Sequence, residues 1–139
     1  MTDFNIYLAG ACKNLDWNTQ NIWRDVSKEK LERVECNYHV YVSNPNDYFN
    51  YIEERHKSQK QVKEYFLHKI RTSNLVLCNL NYSNSSVGTG QELQFARDNN
   101  VPIIGFGNEE VYPWLVEDCQ VVFNTLEEAL EYIKDYYLR

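Results

Sequence analysis

Short apolar runs of strand length alternate along the chain with longer stretches in which apolar positions recur at helical spacing. Residues 4–9, FNIYLA, are aromatic and β-branched and run directly into Gly10, as a buried parallel strand does when it ends in a turn. Residues 16–33 place Ile22, Val26 and Leu31 near helical spacing among many charges, with Asp16 positioned to cap the start, which predicts a surface helix. The β-rich alternation of residues 38–42 stops at the breaker Ser43-Asn44-Pro45-Asn46-Asp47. Residues 48–57 fit helix and loop equally, whereas Val62, Phe66 and Ile70, four residues apart with Leu67 beside them, predict an amphipathic helix over 59–72. Residues 74–80, NLVLCNL, form the clearest strand, nearly continuous in apolar side chains as a central parallel strand should be. A polar loop over 81–90 feeds a helix over 91–98, residues 101–107 and 121–123 read as two further strands, and a closing helix follows the capping box of Thr125 and Glu128.

The order β-α-β-α-β-α-β-loop-β-α, without repeat or linker, predicts one α/β domain over 1–139. Its doubly wound sheet would hold about five mainly parallel strands, with helices on both faces. Composition agrees: 43% hydrophobic residues with 11 Tyr, 6 Phe and 3 Trp support a packed core, and 24% charged residues keep the surface wet. A net charge of −6 argues against a nucleic-acid polymer or an anionic membrane as partner, though not against a small anion bound locally. Cys12, Cys36, Cys78 and Cys119 lack any CxxC spacing, so they read as reduced thiols and not as a zinc site or a disulfide framework. With no signal-like amino terminus and no apolar run of spanning length, the expected location is the cytoplasm.

Open α/β sheets bind ligands beyond the carboxyl ends of their strands. That rule directs attention to Gly10-Ala11-Cys12-Lys13, to Asn44-Pro45-Asn46-Asp47 and, most sharply, to Ser86-Val87-Gly88-Thr89-Gly90-Gln91-Glu92. In the last segment Gly88 and Gly90 are expected to lend backbone freedom and close ligand approach, beside the unpaired N–H groups of a helix start. Glu92, read in the first helical turn, gains from the dipole and is expected to be a carboxylate at neutral pH, suited to act as a nucleophile. Each residue alone has an ordinary reading: a capping Glu, a buried strand tyrosine at Tyr7, a solvated Lys13, a loop hydroxyl at Ser86. The strand-one turn lacks GxGxxG and the glycine segment lacks a Walker lysine, which counts against dinucleotides and ATP, and no cofactor is expected.

Together, Ile6-Tyr7-Leu8-Ala9-Gly10, Asn44-Pro45, Ile70 with Asn74-Leu75-Val76-Leu77, Gly88-Thr89-Gly90-Gln91-Glu92-Leu93 with Ala96, and Val101-Pro102-Ile103-Ile104 resemble the nucleoside 2-deoxyribosyltransferase family, which includes 2'-deoxynucleoside 5'-monophosphate N-glycosidases. The resemblance implies a flavodoxin-like (Rossmann-like) fold and cleavage of the N-glycosidic bond of a small deoxynucleoside or deoxynucleotide. It makes Glu92 the nucleophile that forms a deoxyribosyl ester and Tyr7 the residue that holds it in place, with Gly10, Lys13, Asn44, Ser86, Gly88, Thr89 and Gly90 around the substrate. It also implies a homodimer or larger homo-oligomer, for which the aromatic tail Tyr132, Tyr136 and Tyr137 is one candidate contact and core packing an equal explanation of those rings.

Free-nucleoside members tend to carry an acid six positions before the nucleophile; this chain has Ser86 there and Lys13 after the first strand, which the resemblance links to a 5'-monophosphate. Two family acids are replaced, by Phe66 on the helix before strand three and by Asn74 at the start of that strand, and neither residue does acid–base work. Three readings stay open: a local shift in the correspondence, protonation of the base from elsewhere or from solvent, or a relative that binds, senses or sequesters nucleotides without cleaving them. A generic nucleotide- or flavin-binding protein of this fold stands behind them.

Overall fold

The computed structural model describes residues 1–50 and 52–139. Five strands, β1 (Thr2–Gly10), β2 (Tyr38–Ser43), β3 (Leu75–Asn79), β4 (Ile103–Phe106) and β5 (Val121–Phe123), form one sheet in the order β2-β1-β3-β4-β5. Every pairing is parallel, with Tyr7 opposite Ser43 on one side and Val76 on the other. This is the flavodoxin-like order, doubly wound as the alternation predicts.

The α-helices among the described residues are α1 (Trp17–Glu32), α2 (Gln59–Arg71), α3 (Val87–Asp98), α4 (Pro113–Glu117) and α5 (Leu126–Tyr136). Strand parity divides the core. Phe4, Ile6 and Leu8 of β1 face Leu31 of α1 and Ala129, Leu130 and Ile133 of α5. Tyr7 and Ala9 face the other way, onto Val62, Phe66 and Ile70 of α2 and Leu93 and Ala96 of α3. Successive residues of a strand point to opposite faces, so a nine-residue β1 serves both layers at once.

Caps fix where the helices begin. The Asp16 side chain accepts from the Thr19 N–H at 2.7 Å, Ser58 Oγ from Gln61 N–H at 3.1 Å, and Thr125 Oγ1 from Glu128 N–H at 3.2 Å. Pro45–Asp47 is a short 3₁₀ turn, and residues 48–50 and 52–58 are not helical, so the open choice resolves to loop for these described residues; residue 51 lies outside them. The stretch between β4 and β5 contains α4, a five-residue helix opened by Pro113 and too short for apolar periodicity to reveal.

Helix α1 departs from its expected amphipathicity. Ile22 is 60% exposed, while the inward face carries Gln20, Arg24, Ser27 and Leu31, three of them polar. These positions recur every three to four residues, as a buried stripe must, but the stripe is satisfied by hydrogen bonds instead of apolar contact. Gly10 makes the close approach possible, because a Cβ there would stand 2.9 Å from Trp23 Cζ2 and 3.4 Å from Arg24 Nη2. Gly10→Ala is therefore expected to lower stability by about 1–3 kcal/mol through overpacking. Thermal or urea unfolding checks this, with a conservative change on the exposed face of α1, such as Ile22→Val, as the neutral reference.

Candidate active site

The carboxyl ends of β1, β2 and β3 open into a cavity of about 660 Å³. It sits where the sheet order reverses, between β1, whose chain continues into α1 on one face, and β3, whose chain continues into α3 on the other. The segment from Gly10 to Leu15 forms one side, Ser85 to Glu92 another, and Gln59, Val62, Lys63, Phe66 and Leu67 of α2 a third.

Glu92 and Tyr7 meet in this cavity. Tyr7 is buried on β1, and its Oη donates to Glu92 Oε2 at 2.5 Å, in the range of charge-assisted O–H···O bonds. Helix α3 starts at Val87, four residues earlier than the sequence pattern suggests, because Ser86 is its N-cap. Glu92 is consequently in the second turn, beyond the reach of most of the dipole's benefit. Burial outweighs what remains: it pushes the Glu92 carboxyl up to about 7, against the Tyr7 hydrogen bond and the Arg24 charge, which both pull it down. The expected place in the first turn is thus corrected, and burial, more than the dipole, sets the proton affinity of this carboxyl.

The glycines also differ from expectation. Gly88 and Gly90 lie inside α3 and not in a loop, and no described glycine has a positive φ. Their contribution is space. A Cβ on Gly88 would meet no protein atom within 4 Å, so this wall is open to a ligand, whereas one on Gly90 would touch Leu115 Cδ2 at 3.6 Å, and Gly90 does not line the cavity. Ser86 Oγ accepts from the Thr89 N–H at 3.3 Å and pairs with Thr89 Oγ1 at 2.7 Å. Both side chains border the cavity while closing the helix end, which leaves the N–H groups of Val87 and Gly88 without an intrahelical acceptor.

Lys13 is exposed at the cavity edge, as is Lys63 of α2, which sequence reasoning did not single out. Neither forms an ion pair among the described residues. Asn44 stays outside the cavity: its side chain donates to Asn21 Oδ1 at 3.1 Å and accepts from Asn46 N–H at 2.9 Å in a buried network under the floor, and Pro45 reaches the wall instead.

Arg24 is the cavity residue that the pattern conceals. It is only 1% exposed and borders the cavity, with Nη1 donating to the Gln20 carbonyl at 2.6 Å and Nη2 to that of Gly10 at 3.1 Å. Its guanidinium lies 4.6 Å from the Trp23 ring centroid, and Nε has no hydrogen-bond partner among the described residues. A helix rich in charges gives no reason to select this one; its spacing from Gln20 and Leu31, which shares the buried stripe, is the signal that was there to be used.

Phe66 packs edge-on to Tyr7 at 6.4 Å and joins Phe49 and Tyr65 in an aromatic wall. Glu64 and His68 point away, toward Lys60 and Arg71. Asn74 precedes β3 at the amino edge of the sheet, where its Oδ1 accepts from the Asn5 N–H at 2.8 Å. Asn74 does not line the cavity. The Cys12 thiol, pushed up by burial, sits against Asn46 Oδ1, and all four cysteines are free.

The model of the family described as nucleoside 2-deoxyribosyltransferase matches residues 6–126. The chain belongs to that family. Among solved structures, a conserved protein from Enterococcus faecalis V583 superposes with a TM-score of 0.77 at 15% identity, covering 96% of this chain and 99% of that one. A 2-deoxyribosyltransferase from Leishmania mexicana gives 0.71 at 17% identity, covering 97% and 99%, and the CMP N-glycosidase BcmB from Clostridium botulinum gives 0.56 at 17%, covering 95% and 99%. At these identities the superpositions establish the shared fold. No curated protein sequence matches the chain closely. Among the described residues no helix is long and apolar enough to cross a membrane.

For this deoxyribosyltransferase-family protein, the raised Glu92 value sets the sign of a stability effect. A carboxyl at about 7 when folded, against 4.5 ordinarily, binds its proton more tightly in the folded state. Its favourable contribution is complete below the unfolded value and is lost as pH rises through about 7. Glu92→Gln should therefore leave the Tm nearly unchanged at pH 5 and raise stability at pH 8.5 by about 1–2 kcal/mol, after allowance for the part of the carboxyl that faces the cavity. Calorimetry at the two pH values checks it; an equal shift at both would contradict the burial argument.

Proposed function

We propose that the chain cleaves or transfers at the N-glycosidic bond of a 2'-deoxynucleoside 5'-monophosphate, with the sugar carried as an ester of Glu92. The observation that carries this reading is the hydrogen bond from Tyr7 to Glu92 inside the switch-point cavity. It orients one carboxylate oxygen and leaves the other for the anomeric carbon, and the phenol holds charge that an oxocarbenium-like transition state would then meet.

Charge around the cavity favours the phosphorylated substrate. Lys13, Arg24 and Lys63 line it against one carboxylate, Glu92, in a protein whose overall charge is −6. Uncapped N–H groups at Val87 and Gly88, beside a glycine wall that no side chain obstructs, suit phosphate oxygens. The phosphate thus belongs near Lys13 and the start of α3, with the sugar over Glu92 and the base toward α2.

Release of free base from deoxynucleosides and their monophosphates, followed by chromatography, tests the proposal. Glu92→Ala is expected to lower kcat/KM by on the order of a thousandfold or more. The rate should rise with pH through about 7 as Glu92 loses its proton. Tyr7→Phe should move that limb to higher pH, because it removes a bond that favours the charged form. Lys13→Ala should raise KM for the monophosphate and leave the unphosphorylated compound unaffected. A nucleotide that raises the Tm without losing its base would instead support a binding or sensing protein, the reading that Phe66 favours.

A further inference from the structure

On the α2 side, where the preceding reading puts the base, the cavity is walled by Val62, Lys63, Phe66 and Leu67. Departure of a base normally needs a proton delivered to a ring nitrogen, unless the base is stable as an anion. Among the described residues lining the cavity, Glu92 is the one carboxyl and there is no histidine. The Tyr7 hydroxyl proton is directed at Glu92. The Cys12 thiol belongs to the opposite wall, where it sits between the Gly10 carbonyl and Asn46. Tyr82 is at the mouth, 48% exposed. The α2 wall therefore offers apolar contact from Val62, Phe66 and Leu67, with the positive charge of Lys63 one turn before Phe66 and Leu67.

We propose that this site takes nucleotides whose base departs as a stabilised anion, the oxo-pyrimidine class with an acidic ring N–H, and discriminates against bases that leave only after protonation of a ring nitrogen. The inference rests on the N-glycosidic reading of the site given above. In the step, a lone pair of Glu92 Oε forms the bond to the anomeric carbon. The C–N bond breaks and its electron pair stays on the base nitrogen, so no proton is required at that moment. The anion leaves along a wall where an ammonium favours negative charge and a phenylalanine excludes water, and it takes a proton from solvent afterwards. By microscopic reversibility an acceptor base enters as its anion, so donors and acceptors belong to one chemical class.

The test is a series with one sugar phosphate and graded bases. The 5'-monophosphates of 5-fluoro-2'-deoxyuridine, 2'-deoxyuridine and thymidine carry bases of falling N–H acidity and near-equal shape, and those of 2'-deoxycytidine and 2'-deoxyadenosine need protonation. For wild type, kcat/KM should fall by roughly threefold to tenfold per pKa unit of the base across the first three. The last two should be slower by roughly a hundredfold or more. Phe66→Asp should flatten the series by raising the cytosine and adenine substrates. A flat wild-type series, or cytosine and adenine released as fast as uracil, overturns this inference while Glu92-dependent release leaves the N-glycosidic reading standing. Release of no base from any of the five overturns both. The wild-type series decides by itself, so the outcome does not depend on whether Phe66→Asp folds.

Discussion

Everything at the cavity depends on one carboxyl held just under the surface at the point where β1 and β3 send their chains to opposite faces of the sheet. Removing Glu92 from water weakens its ionised form, and a single phenol from the neighbouring strand gives part of that back. Both groups stand on regular elements, Tyr7 on the first strand and Glu92 on the third helix. Their separation is thus set by strand register and helix packing, not by a loop. The same burial that raises the proton affinity of Glu92 strengthens its interaction with any positive charge placed against it in the cavity.

Arg24 shows the compensation this arrangement requires. A guanidinium buried without a carboxylate partner is costly, and here two backbone carbonyls and the face of Trp23 offset the loss of water. Gln20, Asn21, Asn44 and Asn46 continue the pattern, hydrogen-bonded to one another beneath the floor. That layer explains why α1 presents amides and a cation to the interior while Ile22 faces solvent. It also explains why Asn44, just after β2, belongs to the floor and does not line the cavity.

The fold was legible because its strands are nearly all apolar and bounded by turn residues, and the alternation of strand and helix admits few topologies. The segments Gly10–Lys13 and Ser86–Glu92 could be placed at the carboxyl edge from chain direction alone, whereas Tyr7, inside β1, was singled out only by the family resemblance. What stayed hidden was hidden for physical reasons. The start of α3 was misjudged because Gly88 and Gly90 have poor helix propensity, which the Ser86 cap and packing of Leu93 and Ala96 override. Arg24 was hidden because periodicity arguments count apolar residues, and the inward stripe of α1 is polar. Position 74 looked like a lost acid until the register of β3 placed it at the far edge of the sheet.

Ser86 holds the end of α3 with its hydroxyl, and that role constrains how such a site can change. Serine and aspartate are about equally good at this helical position, so replacing one by the other exchanges a neutral group for a negative one without loosening the helix that carries Glu92. The tendency that the family resemblance implies, an acid at this point in members acting on free nucleosides, then amounts to a swap between two interchangeable caps. Such an exchange alters the charge of the cavity wall at the start of α3 while the helix keeps its anchor.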